Sequence, residues 1–181
     1  MRWADLARPR GAAFLVALGA ALTVGGALVF EHGLGYVPCK LCLTERIPYY
    51  LAVPLALASL ALPARVARLA LGLAALVLLY GAGLGAYHAG AEWGFWPGPT
   101  DCGGGTGANP EAVGDFLNQL RTTRVVDCST AAWRFLGLSL AGWNALIASA
   151  LAALAGNAAL HRDAPPLPNG RGGAPAPPVR R

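Results

Sequence analysis

Residues 11–30, GAAFLVALGAALTVGGALVF, run for 20 positions without a charge. A helix rises 1.5 Å per residue, so about 20 apolar residues are needed to cross ~30 Å of hydrocarbon. Arg8 and Arg10 precede the run, and that arrangement also suits a cleaved signal peptide. The apolar core of a signal peptide is usually ~7–15 residues, however, and this run is followed by three more. They cover about 47–62, which contains Pro54, then 69–91 and 135–160. Hydrophobic residues make up 55% of the 181-residue chain and charged residues 13%, with a mean hydropathy of +0.48. That balance is too apolar for an ordinary soluble domain of this length.

The expected fold is therefore all-α, an integral membrane four-helix bundle over residues 11–160. It leaves a short N-terminus (1–10) and two outer loops at about 31–46 and 90–134. The Pro/Gly-rich tail 161–181 has no apolar period and is expected to be disordered. With the N-terminus inside, nine of the 14 basic residues fall on the inner side, including Arg65 and Arg68 in the tight link PARVAR (63–68). Basic residues concentrate in short inner loops, which predicts both termini cytoplasmic and the larger loops outside. The net charge of +5 follows from this topology and calls for no nucleic acid.

All four cysteines fall in the outer loops: Cys39 and Cys42 in the first, Cys102 and Cys128 in the second. Disulfides persist outside the cytosol, including the bacterial periplasm. The second loop opens with Trp93, Phe95 and Trp96 and closes with Trp133, as an interfacial aromatic belt would. Between them, Asn109, Pro110 and Glu111 read as a helix start, and Val113, Phe116, Leu117 and Leu120 keep a helical period. Such a short helix can lie on the membrane surface or pack on the bundle end.

Three chemistries suit four cysteines. Structural zinc normally draws on two close-spaced pairs, and here the second pair is split by 25 residues; no metal is expected. Two structural disulfides are possible, but a Cys-x-x-Cys ring closes too short a loop to stabilise much. A redox pair is the third reading, since a thiolate attacks in disulfide exchange and nearby cations favour it. Lys40 and Arg46 supply such cations. Whether Arg46 shares a helix face with Cys42, or precedes a helix that Pro48 begins, is left open by the sequence. Haem Cys-x-x-Cys-His, iron–sulfur spacing and a dinucleotide fingerprint are all absent. A lipid-soluble quinone then becomes the expected electron acceptor.

The motif CKLCLTERIPYY (39–50), the later AYHAGAEWGFWPGPTDC (86–102) and a further lone cysteine, set among four spans, resemble the disulfide bond formation protein B family of bacterial inner membranes. The likeness covers roughly residues 11–160. It implies a quinone-dependent thiol oxidoreductase, with ubiquinone or menaquinone as cofactor. Its partner would be a periplasmic thioredoxin-fold dithiol oxidase. By the same resemblance Cys39 and Cys42 are the quinone-linked pair, with Cys42 nearest the ring. Arg46 supports quinone binding, Cys102 meets the protein partner, and Cys128 exchanges with Cys39. A histidine near the quinone in the family corresponds to His88, which on its own chemistry could equally be an interfacial residue. Glu31 and Glu92 read as interfacial or solvated charges, and Tyr49 and Tyr50 as belt residues with a secondary chance of touching the quinone. The competing non-enzymatic expectation is a four-span scaffold with stapled loops.

Overall fold

The computed structural model describes residues 9–99 and 128–160. Cys102, the expected short helix around 109–120 and the tail lie outside the described residues. Helix α1 (Pro9–Leu28) is extended by a π-helical turn (Val29–Gly33). A five-residue helix α2 (Lys40–Thr44), α3 (Ile47–Ala61) and α4 (Ala64–Glu92) follow. After the undescribed segment come two-residue strands β1 (Arg134–Phe135) and β2 (Leu138–Ser139), then α5 (Leu140–Leu160). The protein is a helical membrane protein. Three segments, Pro9–Gly33, Ala64–Glu92 and Leu140–Leu160, are long and apolar enough to cross a bilayer, and α3 is the shorter fourth helix at 15 residues.

Two helix starts differ from the sequence expectation. Helix α4 begins at Ala64 rather than near 69, because Pro63 can end one helix and cap the next. Arg65 and Arg68 are thereby on the helix, and Arg68 Nε donates to Ala159 O at 3.0 Å. Helix α5 begins at Leu140 rather than 135, because residues 134–139 form an antiparallel hairpin. Its turn residues Leu136 and Gly137 both have positive φ, 53° and 81°, as a two-residue hairpin turn of the right hand demands. This hairpin is the one departure from an all-α fold among the described residues.

The packing reverses the pattern of a soluble bundle. Small residues fill the inside, with Ala20, Ala52, Ala56, Ala82, Ala148 and Ala155 around Val16 and Leu78. Large apolar side chains face outward, Leu69 at 74% exposure and Leu22 at 66%. Lipid is as apolar as leucine, so burying leucine between membrane helices gains little. Close backbone approach through small residues gains more. Gly85 shows the closeness: a Cβ there would stand 2.9 Å from the Ala145 backbone nitrogen across the α4–α5 seam. Gly81 likewise lets Pro48 of α3 rest on α4.

Candidate redox site

The chain's local chemistry builds the site at one end of the bundle. Cys39 is extended (φ −76°, ψ 170°) and caps α2, its Sγ accepting from the Cys42 backbone N–H at 3.2 Å. Helix α2 stops after Thr44, since Pro48 has no N–H with which to continue the ladder. The chain turns through Glu45 and Arg46 and restarts at Ile47, with Pro48 tolerated in the first turn. Arg46 is therefore not on the Cys42 helix. It caps α3, and its guanidinium donates to the Glu31 carboxylate.

Cys39 and Cys42 are free thiols with their sulfurs 2.8 Å apart. Both sulfurs and His88 Nε2 lie within 4.8 Å of one another, with Cys39 Sγ 3.6 Å from the ring nitrogen. On the other side of the ring, His88 Nδ1 is 2.7 Å from Glu45 Oε1. Glu45 Oε2 accepts from Asn144 Nδ2 at 2.8 Å, and Asn144 Oδ1 accepts from the Tyr49 hydroxyl. One connected network thus joins the cysteine pair to α3, α4 and α5. Neither Glu45 nor Asn144 stood out in the sequence, although an amide in the apolar 135–160 run, which holds only Asn144 and Asn157, is a signal of a buried role.

Three expectations need correction. Glu92 is not an interfacial charge: its side chain is 5% exposed, 3.9 Å from His88 Nε2. Spacing of four residues on α4 puts both on the same inward face. Glu31 is ion-paired to Arg46 rather than solvated. Tyr49 is buried against Asn144, whereas Tyr50 is half exposed as a belt residue would be.

Electrostatics separate the two thiols. The Cys42 thiol donating to Cys39 is the largest influence, and together with His88 it outweighs burial to hold the Cys39 thiol down to about 4. The same hydrogen bond, with burial, pushes Cys42 far above an ordinary thiol. Burial also pushes the Glu45 carboxyl up, opposed by its bonds from His88 and Asn144. In the dithiol the negative charge therefore sits on Cys39, where the Cys42 backbone N–H and His88 converge.

Cys128 is disulfide-bonded, and with neither Cys39 nor Cys42, which are free. It is almost fully buried and packs directly on Cys39. A cavity of about 350 Å³ opens beside the pair. Its lining includes the polar side chains of Cys42, Arg46, His88 and Glu92 and the apolar ones of Leu22, Phe30 and Ile147. That volume lies in the range of small-molecule sites.

The site thus combines a free Cys-x-x-Cys pair, a disulfide-bonded cysteine packed on it and an adjoining cavity. The family profile of Disulfide bond formation protein DsbB matches residues 9–158. The chain belongs to this family. Disulfide bond formation protein B of Nitrosomonas europaea is 33% identical over 156 residues, covering 78% of this chain and 88% of the relative. That of Marinobacter nauticus is 32% identical over 161 residues, 86% and 92% of the two chains. That of a Polaromonas species is 29% identical over 160 residues, 81% and 88% of the two. No solved structure matches the chain. As a DsbB family member the protein is a disulfide-bond-forming membrane protein, and its chemistry is thiol oxidoreduction.

Proposed function

We propose that the protein is a quinone-dependent protein-disulfide oxidoreductase of the bacterial inner membrane that reoxidises a periplasmic thioredoxin-fold dithiol oxidase. The observation that carries this reading is the free Cys39/Cys42 pair, placed between disulfide-bonded Cys128 and the cavity. A quinone, ubiquinone or menaquinone, fits the lining, since a ring with polar oxygens on an apolar tail suits a cavity that offers both Arg46 and His88 and the apolar Leu22, Phe30 and Ile147. Bound there, it would supply a sink for two electrons and two protons.

The chain's own residues do the rest. The reduced partner gives its electrons to the Cys102/Cys128 disulfide. The Cys128 thiolate then attacks Cys39 of an oxidised Cys39–Cys42 bond, expelling Cys42, and Cys102 resolves the mixed disulfide. Both electrons now lie on Cys39 and Cys42, which corresponds to the pairing state described above. His88 and the Cys42 hydrogen bond keep Cys39 anionic and ready to close the ring again. Arg46 and His88 would hold the quinone ring, and Leu22, Phe30 and Ile147 its apolar part.

In this reading α3 is a fourth crossing. Its 15 residues span about 22 Å, a mismatch that bilayers accommodate at modest cost. Both termini are then cytoplasmic and the cysteine loops periplasmic. The scaffold alternative is weakened by the free state of Cys39 and Cys42, which staple nothing.

The test is a coupled assay with purified protein, reduced partner and ubiquinone or menaquinone analogues. Quinone is expected to be consumed one for one with partner dithiol, and Cys42→Ser to abolish this. Cys102→Ser should retain quinone binding yet lose turnover with the partner. No quinone reduction by the intact protein with a competent partner would sink the reading.

A further inference from the structure

The two carboxylates beside His88 are not equivalent. Glu45 has a donor at each oxygen, His88 Nδ1 at 2.7 Å and Asn144 Nδ2 at 2.8 Å. Glu92 Oε1 is 3.9 Å from His88 Nε2, beyond hydrogen-bond distance, and its Oε2 is buried without a partner. The charged and titratable groups around this cavity come from every neighbouring element. They are His88 on its own helix, Cys39, Cys42 and Glu45 from α2 and its turn, Arg46 and Tyr49 at the start of α3, Glu31 from the π-helical turn and Tyr36 just after it. The two cations among them are engaged, Arg46 by Glu31 and His88 by Glu45 and Cys39. A buried carboxylate without donor or free cation is far more costly than the neutral acid.

We propose that Glu92 is a proton store for the Cys39/Cys42 couple, filled when the pair is reduced and emptied when it is reoxidised. This rests on the quinone reading of the cavity, where Glu92 and Cys42 are both lining residues. The balance is as follows. Incoming dithiol forms its disulfide, releasing two electrons and two protons. The Cys39–Cys42 bond breaks, giving the Cys39 thiolate and the Cys42 thiol, which takes one proton. The other goes to Glu92. On reoxidation the Cys39–Cys42 bond reforms, two electrons pass to the quinone, and the two protons that the quinol needs come from the Cys42 thiol and the Glu92 carboxyl. Charge is unchanged across each half of the cycle, so the buried site never has to carry an added negative charge.

The decisive measurement is the pH dependence of the Cys39/Cys42 redox equilibrium against glutathione, in full-length Cys102→Ala/Cys128→Ala protein without quinone. Glutathione itself takes up two protons per two electrons below its own thiol pKa, so a two-proton protein couple leaves the exchange constant unchanged with pH, its potential running parallel to that of glutathione at ~59 mV per pH unit. Glu92→Gln, left with a one-proton couple, is expected to change the constant about tenfold per pH unit, a slope of ~30 mV, and Glu92→Asp to restore the flat profile. A flat profile retained in Glu92→Gln, or lost equally in Glu92→Asp, overturns the proposal. Because no quinone is present, this outcome is independent of the coupled assay: failure there with the two-proton dependence intact would condemn the quinone reading and not the proton store.

Discussion

The middle of the bundle and its cysteine-bearing end are built from the same helices by opposite means. In the middle, Val16, Ala20, Ala52, Ala56, Ala82 and Ala148 meet by shape alone. At the end, Glu45, His88 and Glu92 are buried and, Glu92 apart, connected by hydrogen bonds. Apolar seams in a membrane cost nothing to desolvate, whereas each buried ionisable group is expensive and persists for a function. The contrast separates what holds the helices together from what moves electrons and protons, and substitutions in each region should fail differently.

The largest effect is expected in the apolar seam. Gly85→Leu forces a side chain into the Ala145 backbone. It should destabilise the protein by about 3 kcal/mol or more, at the upper end of overpacking costs, seen as lost monodisperse protein in detergent. Gly83→Leu, two residues along where nothing lies within 4 Å, should leave stability unchanged. Equal behaviour of the two would mean that the α4–α5 approach is looser than described.

At the polar end, Glu45→Ala should destabilise by about 2 kcal/mol, because it strands His88 Nδ1 and Asn144 Nδ2 without an acceptor. Glu45→Gln keeps one acceptor and should cost about half as much. Thermal unfolding in detergent compares them, and an Ala variant as stable as the native protein would dissolve the network into incidental contacts.

The same network sets a pH dependence. Cys39 is held down to about 4, so its thiolate is present above that pH and disappears only as pH falls through it. An ordinary thiol, near 8.5, would already be mostly protonated at neutrality. Alkylation of Cys39 in reduced protein, corrected for the unhindered rate, should stay flat from neutral pH down to about 5 and fall only near 4. His88→Ala removes one supporting donor while leaving the Cys42 hydrogen bond, so the inflection should move upward. An inflection near neutrality in the native protein would show that Cys39 is not the charged sulfur.

The sequence reveals the middle of the bundle more readily than its end. Uncharged runs state their own length, so 11–30 and 69–91 are readable by eye. The missed turn of α4 contains Arg65 and Arg68, whose charges interrupt the run although their long stems can lie along apolar surface. The hairpin at 134–139 was hidden because Phe135, Leu136 and Leu138 continue the apolar run while Leu136 and Gly137 reverse the chain. At the site, the Cys-x-x-Cys pair and Arg46 are local patterns. Glu45 with Asn144, and Glu31 with Arg46, are pairs 99 and 15 residues apart. Only the folded helices bring them into contact, and no one-dimensional period encodes that.

The smallest expected effect tests whether Arg46 is a quinone ligand or chiefly a structural partner. Its guanidinium is ion-paired with Glu31, both side chains being partly exposed at 12% and 26%. Partly exposed ion pairs are worth about 1 kcal/mol or less, roughly fivefold in an equilibrium. Arg46→Gln should raise the apparent quinone KM well beyond that factor, because it removes a cation from the cavity itself. Glu31→Gln should instead change KM by fivefold at most, lowering it, since Arg46 is freed from a competing carboxylate. Both variants should leave kcat at saturating quinone close to native. If Glu31→Gln raised KM as much as Arg46→Gln, the pair would act as a unit and the role of Arg46 would be to hold the π-helical turn of α1 in place beside the cysteines.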